Sequence, residues 1–324
     1  PQDLLDLLAE LDVFIERVIK PLEEQDDNIR FFDHRREDAR TDWERQGLPN
    51  AEWEALLHRA KRLADEAGFY RYPLDAQYGG RNGTNLGMAV IREHLARKGL
   101  GLHNDLQNEH SIVGNNVGLL LMIAYGTDEQ KAEWIPPLAE GTRGFAFGIT
   151  EPNHGSDATH METTAVRDGD EWIINGQKIW TSAGHLADHI FVLGRSDPDA
   201  PRHKGITFFL VDMRQPGVEV RPIKMMSGDS EFNETFFTDA VTGKHEVVGG
   251  VNNGWAVAMT LLGYERGEAA ATLPIRFQAE VDRLLLLAKE RGVANDPRIR
   301  QRLAQCCAKA VSYTHLTLPT HREG

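Results

Sequence analysis

Cysteine and positive charge are both scarce in this sequence. Its 324 residues include two cysteines, the neighbours Cys306 and Cys307. Adjacent cysteines provide neither a disulfide framework nor the ligand spacing of a zinc site, so we expect a protein of a reducing compartment. There are 36 basic residues against 49 acidic ones, and the net charge is −13. Because nucleic-acid binding depends on an excess of Lys and Arg, this balance argues against nucleic acid as the main partner.

Long apolar runs and the common nucleotide-binding motifs are also missing. The longest apolar run, residues 117–124, is far too short to span a membrane. The residues after Pro1 show no basic segment followed by an apolar one, so no export signal is expected. Without a G-x-G-x-x-G or Walker A pattern, neither a Rossmann nor a P-loop site is predicted. His94, His103 and His110 lack the spacing of metal ligands, so no metal site is expected.

Hydrophobic periodicity divides the chain into helical, β and helical parts. Helical spacing is found over residues 2–22 (ending near Pro21), 51–67, 85–99, 111–125 and from Thr127 to Pro136, with a charged, solvated connection over 23–50. Thr127 and Gln130 match a capping box. Short runs rich in Val, Ile, Thr and aromatic residues over 145–248 predict an antiparallel barrel or sandwich. Since helix is expected again over 255–291 and 297–310, the sequence predicts an α+β fold.

A polar turn follows the first predicted strand. Residues 147–157 read FGITEPNHGSD and are crowded with hydroxyl and amide groups. Pro152 and Gly155 stop any helix or strand, so the backbone amides between them are left without ladder partners. Such amides can bind a phosphate or the polar edge of a ring system.

An aromatic residue and a hydroxyl group are expected close to this turn. Asn175–Gly176 is a strong hairpin signal, and the hairpin would bring Trp180 and Ser182 beside the turn. A flat ring, a hydroxyl group and free amides together suit a flat heteroaromatic cofactor.

These two segments carry a resemblance to a known family. GITEPNHGSD at 148–157, followed by INGQKIWTSAGHLAD at 174–188, resembles the paired flavin-site signatures of the acyl-CoA dehydrogenase family. The likeness extends over roughly residues 48–310 and includes YGG at 78–80, KGITFFLVD at 204–212, GGVNNGW at 249–255 and LLGYER at 261–266. The resemblance implies an FAD-dependent oxidoreductase with an N-terminal all-α domain, a middle antiparallel β-barrel and a C-terminal helical domain.

The family architecture gives expected domain boundaries. The N-terminal helical domain would cover residues 1–143, the β-barrel 144–250, and a partial C-terminal helical domain 251–310. The family's C-terminal domain is a bundle of about four long helices, and this chain has room for about one and a half. Residues 311–324, VSYTHLTLPTHREG, lose the helical period and resemble nothing in the family. We predict that they are not native to the gene, with a genuine disordered tail as the alternative.

The resemblance also implies a set of cofactor-binding residues. The residues that would line the flavin are Phe147, Ile149, Thr150, Gly155, Ser156, Trp180, Thr181 and Ser182. Thr150 would hydrogen-bond the pyrimidine edge of the ring, Trp180 would pack against the ring, and Ser182 would lie near N5. Ser156 would also contact the substrate. The family usually has an apolar residue and a threonine after this tryptophan. Serine at the second position keeps the hydroxyl group but loses the methyl group that restricts its rotamer.

The family removes hydrogen from the α and β carbons of an acyl-CoA thioester: a carboxylate takes the α-proton, and hydride passes to flavin N5. Such a base needs a raised pKa, which burial provides. Glu265 is our candidate, because Leu261 and Leu262 lie four and three residues before it on an apolar helix face. It could instead be a surface glutamate paired with Arg266, and the base could lie in a later C-terminal region outside this chain. Arg266 matches a substrate-side arginine of the family, and its alternative is a solvated charge.

The partners follow from the same resemblance. It implies an acyl-CoA substrate, an electron-transfer flavoprotein as electron acceptor, and a homodimer or homotetramer at full length. It places such a protein in fatty-acid β-oxidation, in the bacterial cytoplasm or the mitochondrial matrix. Two alternatives stay open, an acyl-CoA oxidase that uses oxygen and a catalytically incomplete fragment that binds flavin or acyl-CoA.

Overall fold

The computed structural model describes residues 1–33, 39–99, 101–104, 111–114, 117–265 and 268–317, and the backbone alone at 265, 268–274, 276 and 312–317. The chain divides into two compact units. One comprises Pro1–Asn28, Leu63–Asn115 and Glu265–Gly324, and the other Ile29–Arg62 and Asn116–Tyr264. The predicted boundaries at residues 143 and 250 differ from this division and stay predictions. Part of the predicted non-native tail, residues 318–324, lies outside the described residues.

The helices follow the predicted order. They are α1 (Gln2–Phe14), α2 (Lys20–Glu24), α3 (Ala51–Glu66), α4 (Asn85–Arg97), α5 (Val117–Tyr125), α6 (Asp128–Ala139), α7 (Gly254–Glu265), α8 (Glu268–Glu290) and α9 (Pro297–Thr317). The capping box that begins α6 is present, with both the Thr127 and the Gln130 side chains bonded to backbone amides. The α5 helix starts later than predicted, and α9 continues beyond residue 310.

Two helices continue through prolines that we expected to end them. Before Pro21, a π-helical segment (Ile15–Ile19) joins α1 to α2, so the amide of Lys20 bonds the carbonyl five residues back. This wider turn accommodates Pro21, which has no backbone amide to donate a hydrogen bond. The α6 helix also runs through Pro136 and Pro137. It keeps its last turn because Ile135, Leu138 and Ala139 are buried there, and this packing outweighs the proline penalty.

The segment from 23 to 50 is more than the solvated connection that we expected. Phe31 is buried, and its ring centroid lies 5.2 Å from that of Trp53 on α3. Two short antiparallel strands, β1 (Thr41–Asp42) and β2 (Leu48–Pro49), lie in the same segment. The many charged residues of this segment led us to expect a solvated connection. One buried aromatic pair is nevertheless enough to hold such a connection against a helix.

The β domain is confirmed, but its sheet is mixed rather than antiparallel. Its strands are β3 (Phe145–Gly148), β4 (Thr164–Asp168), β5 (Glu171–Ser182), β6 (His189–Arg195), β7 (Ile206–Asp212), β8 (Val218–Ile223), β9 (Phe232–Gly243) and β10 (Val247–Val248). Their order is β10-β7-β6-β4-β5-β9-β8, and β3 also pairs with β6. The β3 strand runs parallel to β6, with Phe147 opposite Phe191, and β4 meets β6 in the parallel sense at one position. The other ladders are antiparallel.

The predicted hairpin at Asn175–Gly176 is wrong, because β5 continues through both residues, with a shift in its pairing to β9 between Ile174 and Gly176. Asn175 exchanges two hydrogen bonds with Asp239 on β9, one from its side-chain amide and one from the Asp239 backbone amide. At Gly176 a Cβ atom would lie 2.4 Å from Thr163 Oγ1, so glycine is required for close approach rather than for a turn. The actual hairpin joins β4 to β5 through Gly169 and Asp170, with Gly169 at φ 59°.

A carboxyl group is held against α6 at the end of β9. The side-chain amide of Gln130 donates to the carbonyls of His245 and Val247, at 2.6 and 3.0 Å, on either side of Glu246. One Glu246 carboxyl oxygen is buried and has no hydrogen-bond partner in the part of the chain that the structure describes. Burial raises the pKa of Glu246 to about 7, and the nearby negative charge of Glu133 raises it further, against the opposing effect of Arg143.

We therefore expect Glu246→Gln to stabilise the protein at neutral and alkaline pH. The folded state holds a proton on Glu246 that the unfolded state releases near its ordinary pKa of 4.5, so the wild type loses stability as pH rises from about 4.5 to 7. Allowing for solvent screening, the variant should gain about 1–2 kcal/mol at pH 8 and almost nothing at pH 4.5. Urea unfolding at both pH values measures this difference. Glu171→Gln, at an exposed carboxylate, is the control. An equal gain at both pH values would contradict the assignment.

Candidate functional site

An irregularity in β5 exposes two of the predicted cofactor residues, Trp180 and Ser182. Trp172, Ile174 and Lys178 are buried at alternating positions, and this alternation would bury Trp180 as well. The pairing with β9 shifts between Lys178 and Thr181, so Ile179 and Trp180 together oppose a single residue of β9. A bulge of this kind exchanges the two faces of the strand beyond it.

The bulge depends on an unusual backbone conformation. Trp180 has φ 62°, in the left-handed region that bulky residues seldom adopt. Its side chain is 54% exposed, while the next residue, Thr181, is buried. The Trp180 ring meets the ring of Phe232 edge-on, with centroids 6.0 Å apart. A large apolar ring held outward by backbone strain is typical of a binding site rather than of a core.

The predicted cofactor residues on β5 therefore point to different faces. Trp180 and Ser182 are exposed. The Thr181 hydroxyl lies inside the protein, 3.4 Å from the donating hydroxyl of Thr235, and the Thr181 carbonyl accepts from the side-chain amide of Asn233 at 3.0 Å. The Thr181 side chain is thus enclosed by protein, and its predicted contact with a cofactor stays a prediction.

The polar turn lies beside this strand. The Thr150 carbonyl accepts a hydrogen bond of 2.9 Å from the amide of Ile179, next to Trp180. Ile149 and Thr150 are half-buried, and Gly155 and Ser156 are exposed. Phe147 is half-buried and stacks on Phe191, with centroids 5.4 Å apart and planes 9° apart. Within the described part of the chain, the hydroxyl groups of Thr150, Ser156 and Ser182 have no recorded partner, so they are available to a ligand.

A buried ion pair joins the turn to the strand. Lys178 Nζ lies 2.8 Å from Glu151 Oε1, and the side chains are 0% and 3% exposed. Lys178 Nζ also donates to the Ile149 carbonyl at 3.4 Å. Glu151 accepts from the backbone amides of Glu162 and Thr163. The pair therefore ties together the two segments that carry the predicted cofactor residues.

The two pKa values reflect this enclosure. Burial lowers the pKa of the Lys178 ammonium to about 8, and attraction to Glu151 opposes the decrease. Burial alone would raise the pKa of Glu151. The positive charge of Lys178 and the hydrogen bonds that Glu151 accepts outweigh burial, and they hold the pKa of this carboxyl below its usual value. Glu151 is consequently ionised at neutral pH, and its negative charge stabilises the positive charge of Lys178.

Sequence reasoning missed this pair, although the sequence contains a signal for it. Lys178 occupies an inward-facing position of β5, in the same alternation as Trp172 and Ile174. A lysine at such a position requires a buried carboxylate partner. Glu151 in the polar turn provides that partner. The side chain of Glu151 is therefore engaged inside the protein and is not available to a ligand.

The remaining predicted site residues are Glu265 and Arg266. Glu265 is the last residue of α7, and the structure describes its backbone alone. Arg266 lies outside the described residues. Their roles as base and substrate contact stay predictions.

Among the described residues, no cluster of three or more His, Cys, Asp or Glu side chains could hold a metal ion. None of the helices there combines the length and the hydropathy needed to span a membrane.

Family models match three consecutive parts of the sequence. The acyl-CoA dehydrogenase N-terminal domain matches residues 23–142, the middle domain 146–240, and the C-terminal domain 252–320. The chain belongs to the acyl-CoA dehydrogenase family. Members of this family are FAD-dependent oxidoreductases. The C-terminal match extends past residue 310, where we predicted the domain to end.

Individual acyl-CoA dehydrogenases resemble the chain over most of its length. IpdE1 of Mycobacterium tuberculosis is 38% identical over 262 residues, which are 80% of this chain and 66% of that protein. FadE12 of the same species is 30% identical over 270 residues, 80% of this chain and 68% of that protein. The solved structure of the Tcur3481-Tcur3483 steroid acyl-CoA dehydrogenase superposes with a TM-score of 0.74 at 29% identity, covering 98% of this chain and 76% of that one. The chain thus spans about two-thirds of the length of these curated relatives.

Proposed function

We propose that the chain provides the flavin site of an acyl-CoA dehydrogenase, which oxidises an acyl-CoA thioester to the trans-2-enoyl-CoA. The observation that carries the proposal is the bulge in β5, which turns Trp180 and Ser182 outward beside the polar turn. Family membership supports the same reading.

The residues of this site fit an isoalloxazine ring. The exposed face of Trp180 would pack against the flat ring, and the half-buried Phe147 and Ile149 would extend the apolar wall. The free hydroxyl groups of Thr150 and Ser182 would bond polar atoms at the ring edge, and Ser156 would bond either cofactor or substrate. Bound FAD supplies the acceptor for the hydride that leaves the β-carbon.

The proposed base acts from the end of α7. Glu265 would take the α-proton, and Arg266 would contact the substrate. The α7 helix is strongly apolar, with Val257, Ala258 and Leu261 buried, and an apolar surrounding raises the pKa of a carboxyl group toward working pH. We propose an electron-transfer flavoprotein as the acceptor and a homodimer or homotetramer as the assembly.

Trp180→Ala is expected to weaken FAD binding about tenfold or more, because it removes the apolar face on which the ring would lie. Titration of the purified chain with FAD, followed by flavin absorbance and fluorescence, measures the dissociation constant. Trp43→Ala is the matched control, since Trp43 is 51% exposed in the same unit and takes no part in the proposed site. Equal affinities for wild type and Trp180→Ala would remove the tryptophan from the site.

The reaction itself is tested by anaerobic addition of acyl-CoA thioesters to the flavin-loaded protein. The panel includes straight, branched and aromatic acyl groups, and also a steroid side-chain thioester because a relative is described as a steroid acyl-CoA dehydrogenase. Bleaching of the flavin by one member would support the proposal and identify the substrate class. Hydrogen peroxide formed in air without another acceptor would favour an oxidase. Flavin that binds and never bleaches would point to an incomplete catalytic site.

A further inference from the structure

The ion pair between Lys178 and Glu151 is almost completely enclosed by protein. Neither side chain is more than 3% exposed, and Lys178 Nζ lies 2.8 Å from Glu151 Oε1. Enclosing two charges costs desolvation energy that their attraction offsets only with good geometry and further hydrogen bonds. Apolar residues of the same size would stabilise a core equally well, so the pair calls for an explanation other than stability.

The further hydrogen bonds of the pair all go to backbone groups around the polar turn. Lys178 reaches the Ile149 carbonyl, where the turn begins. Glu151 lies within the turn and accepts from the amides of Glu162 and Thr163, where the chain enters β4. The start of the connection from β3 to β4 is therefore bonded directly to Lys178 on β5, and its end is linked to Lys178 through Glu151.

The strand side of the pair is equally restrained. The residue after Lys178 is Ile179, whose amide donates to the Thr150 carbonyl at 2.9 Å. The next residue is Trp180, in its left-handed conformation. At Gly148 a Cβ atom would lie 3.1 Å from Lys178 Cγ, so the aliphatic part of the lysine packs directly on the end of β3.

We propose that Lys178 and Glu151 are a positioning pair, which holds the 150–156 turn at a fixed spacing from Trp180 and Ser182 and thereby sets the affinity for flavin. The effect on flavin affinity rests on the function proposed above. Neither residue needs to touch the cofactor: Lys178 acts through Ile149 and the bulge, and Glu151 acts through the turn that contains it.

The test uses a variant in which positioning is lost and folding is preserved. Lys178→Met alone would leave the Glu151 carboxylate buried without a counter-charge. The double variant Lys178→Met/Glu151→Gln removes both charges and keeps one side-chain oxygen, which accepts from one of the two amides, Glu162 or Thr163. We expect its melting temperature to recover most of the loss seen in Lys178→Met.

The first readout needs no cofactor. Hydrogen exchange of the Ile179 amide reports whether the turn still lies against the strand, because that amide is protected by the Thr150 carbonyl. In the double variant we expect exchange at Ile179 to accelerate at least tenfold, while amides in the centres of β6 and β7 keep their wild-type rates. Unchanged exchange at Ile179 would overturn the proposal.

The second readout is FAD affinity. We expect the double variant to bind FAD at least tenfold more weakly than wild type and with a shifted flavin absorbance band. Affinity and spectrum within twofold of wild type, in a folded double variant, would overturn the proposal. A wild-type chain that binds no FAD would overturn the proposed function and, with it, the effect of the pair on flavin affinity. Exchange at Ile179 would still show whether the ion pair holds the turn against β5.

Gln130→Ala separates positioning from general loss of stability. Gln130 joins α6 to the 245–247 segment, and the hydrogen bonds of its side chain go to that segment and to the Thr127 amide rather than to the predicted cofactor residues. Its loss should lower the melting temperature and leave FAD affinity within twofold of wild type. If Gln130→Ala weakened FAD binding as much as the double variant does, the effect of the ion pair would be one of stability, and the proposal would be wrong.

Discussion

Replacing Glu265 by glutamine is expected to slow reduction of the flavin by an acyl-CoA about a thousandfold, while acyl-CoA binding changes by less than a few-fold. Glutamine keeps the size of the side chain but cannot accept the α-proton. Without that transfer the β-hydrogen cannot leave as hydride, so the flavin stays oxidised. A loss confined to the chemical step is what distinguishes a base from a binding residue.

Rapid mixing of the flavin-loaded protein with the best thioester of the panel, under anaerobic conditions, measures the rate of bleaching. Binding is followed separately by the perturbation of the oxidised flavin spectrum. Glu280→Gln on α8 is the control, since Glu280 is an exposed carboxylate paired with Arg283. Bleaching at the wild-type rate in Glu265→Gln would place the base elsewhere, in agreement with the alternative of a later C-terminal residue.

Features of the fold that depend on local pattern were predictable from the sequence. The Thr127 capping box and the boundaries of α3 follow from side-chain types at fixed spacing, and the structure has both. The change from helical to β periodicity near residue 145 was visible for the same reason.

Features that depend on distant partners were not predictable in this way. The parallel pairing of β3 with β6 joins residues about 44 positions apart, as Phe147 and Phe191 show, and strand-forming composition carries no information about direction. The Asn175–Gly176 dipeptide forms a turn only when no other strand competes for its hydrogen bonds. Here Asp239 on β9 binds Asn175, so β5 continues.

The candidate site shows the same division. Trp180 and Ser182 could be selected from the sequence because their types and spacing resemble a family signature. Their exposure depends on the bulge in β5, and that bulge depends on the register of β9. Strict alternation would have buried Trp180 and exposed Thr181. The residue types were therefore readable from the sequence, whereas the face on which each side chain lies was not.

Gly254→Ala is expected to lower the free energy of unfolding by about 3 kcal/mol. Gly254 begins α7, and a Cβ atom there would lie 2.5 Å from the carbonyl carbon of Thr207 and 2.6 Å from the nitrogen of Phe208. Both neighbours are backbone atoms of buried residues in strand β7, so neither can rotate away, and the helix itself must shift.

Urea unfolding measures the loss, and Gly263→Ala on the same helix is the matched control. Among the described residues, a Cβ atom at Gly263 meets nothing within 4 Å, so alanine should raise stability there by up to about 1 kcal/mol through its better helix propensity. Opposite signs for one substitution at two ends of α7 would show that the cost at Gly254 comes from contact with β7. Equal effects would mean that helix propensity alone decides both.

Because α7 ends at Glu265, a shift of its first turn would also move the proposed base, so the loss of stability in Gly254→Ala should be accompanied by slower flavin reduction.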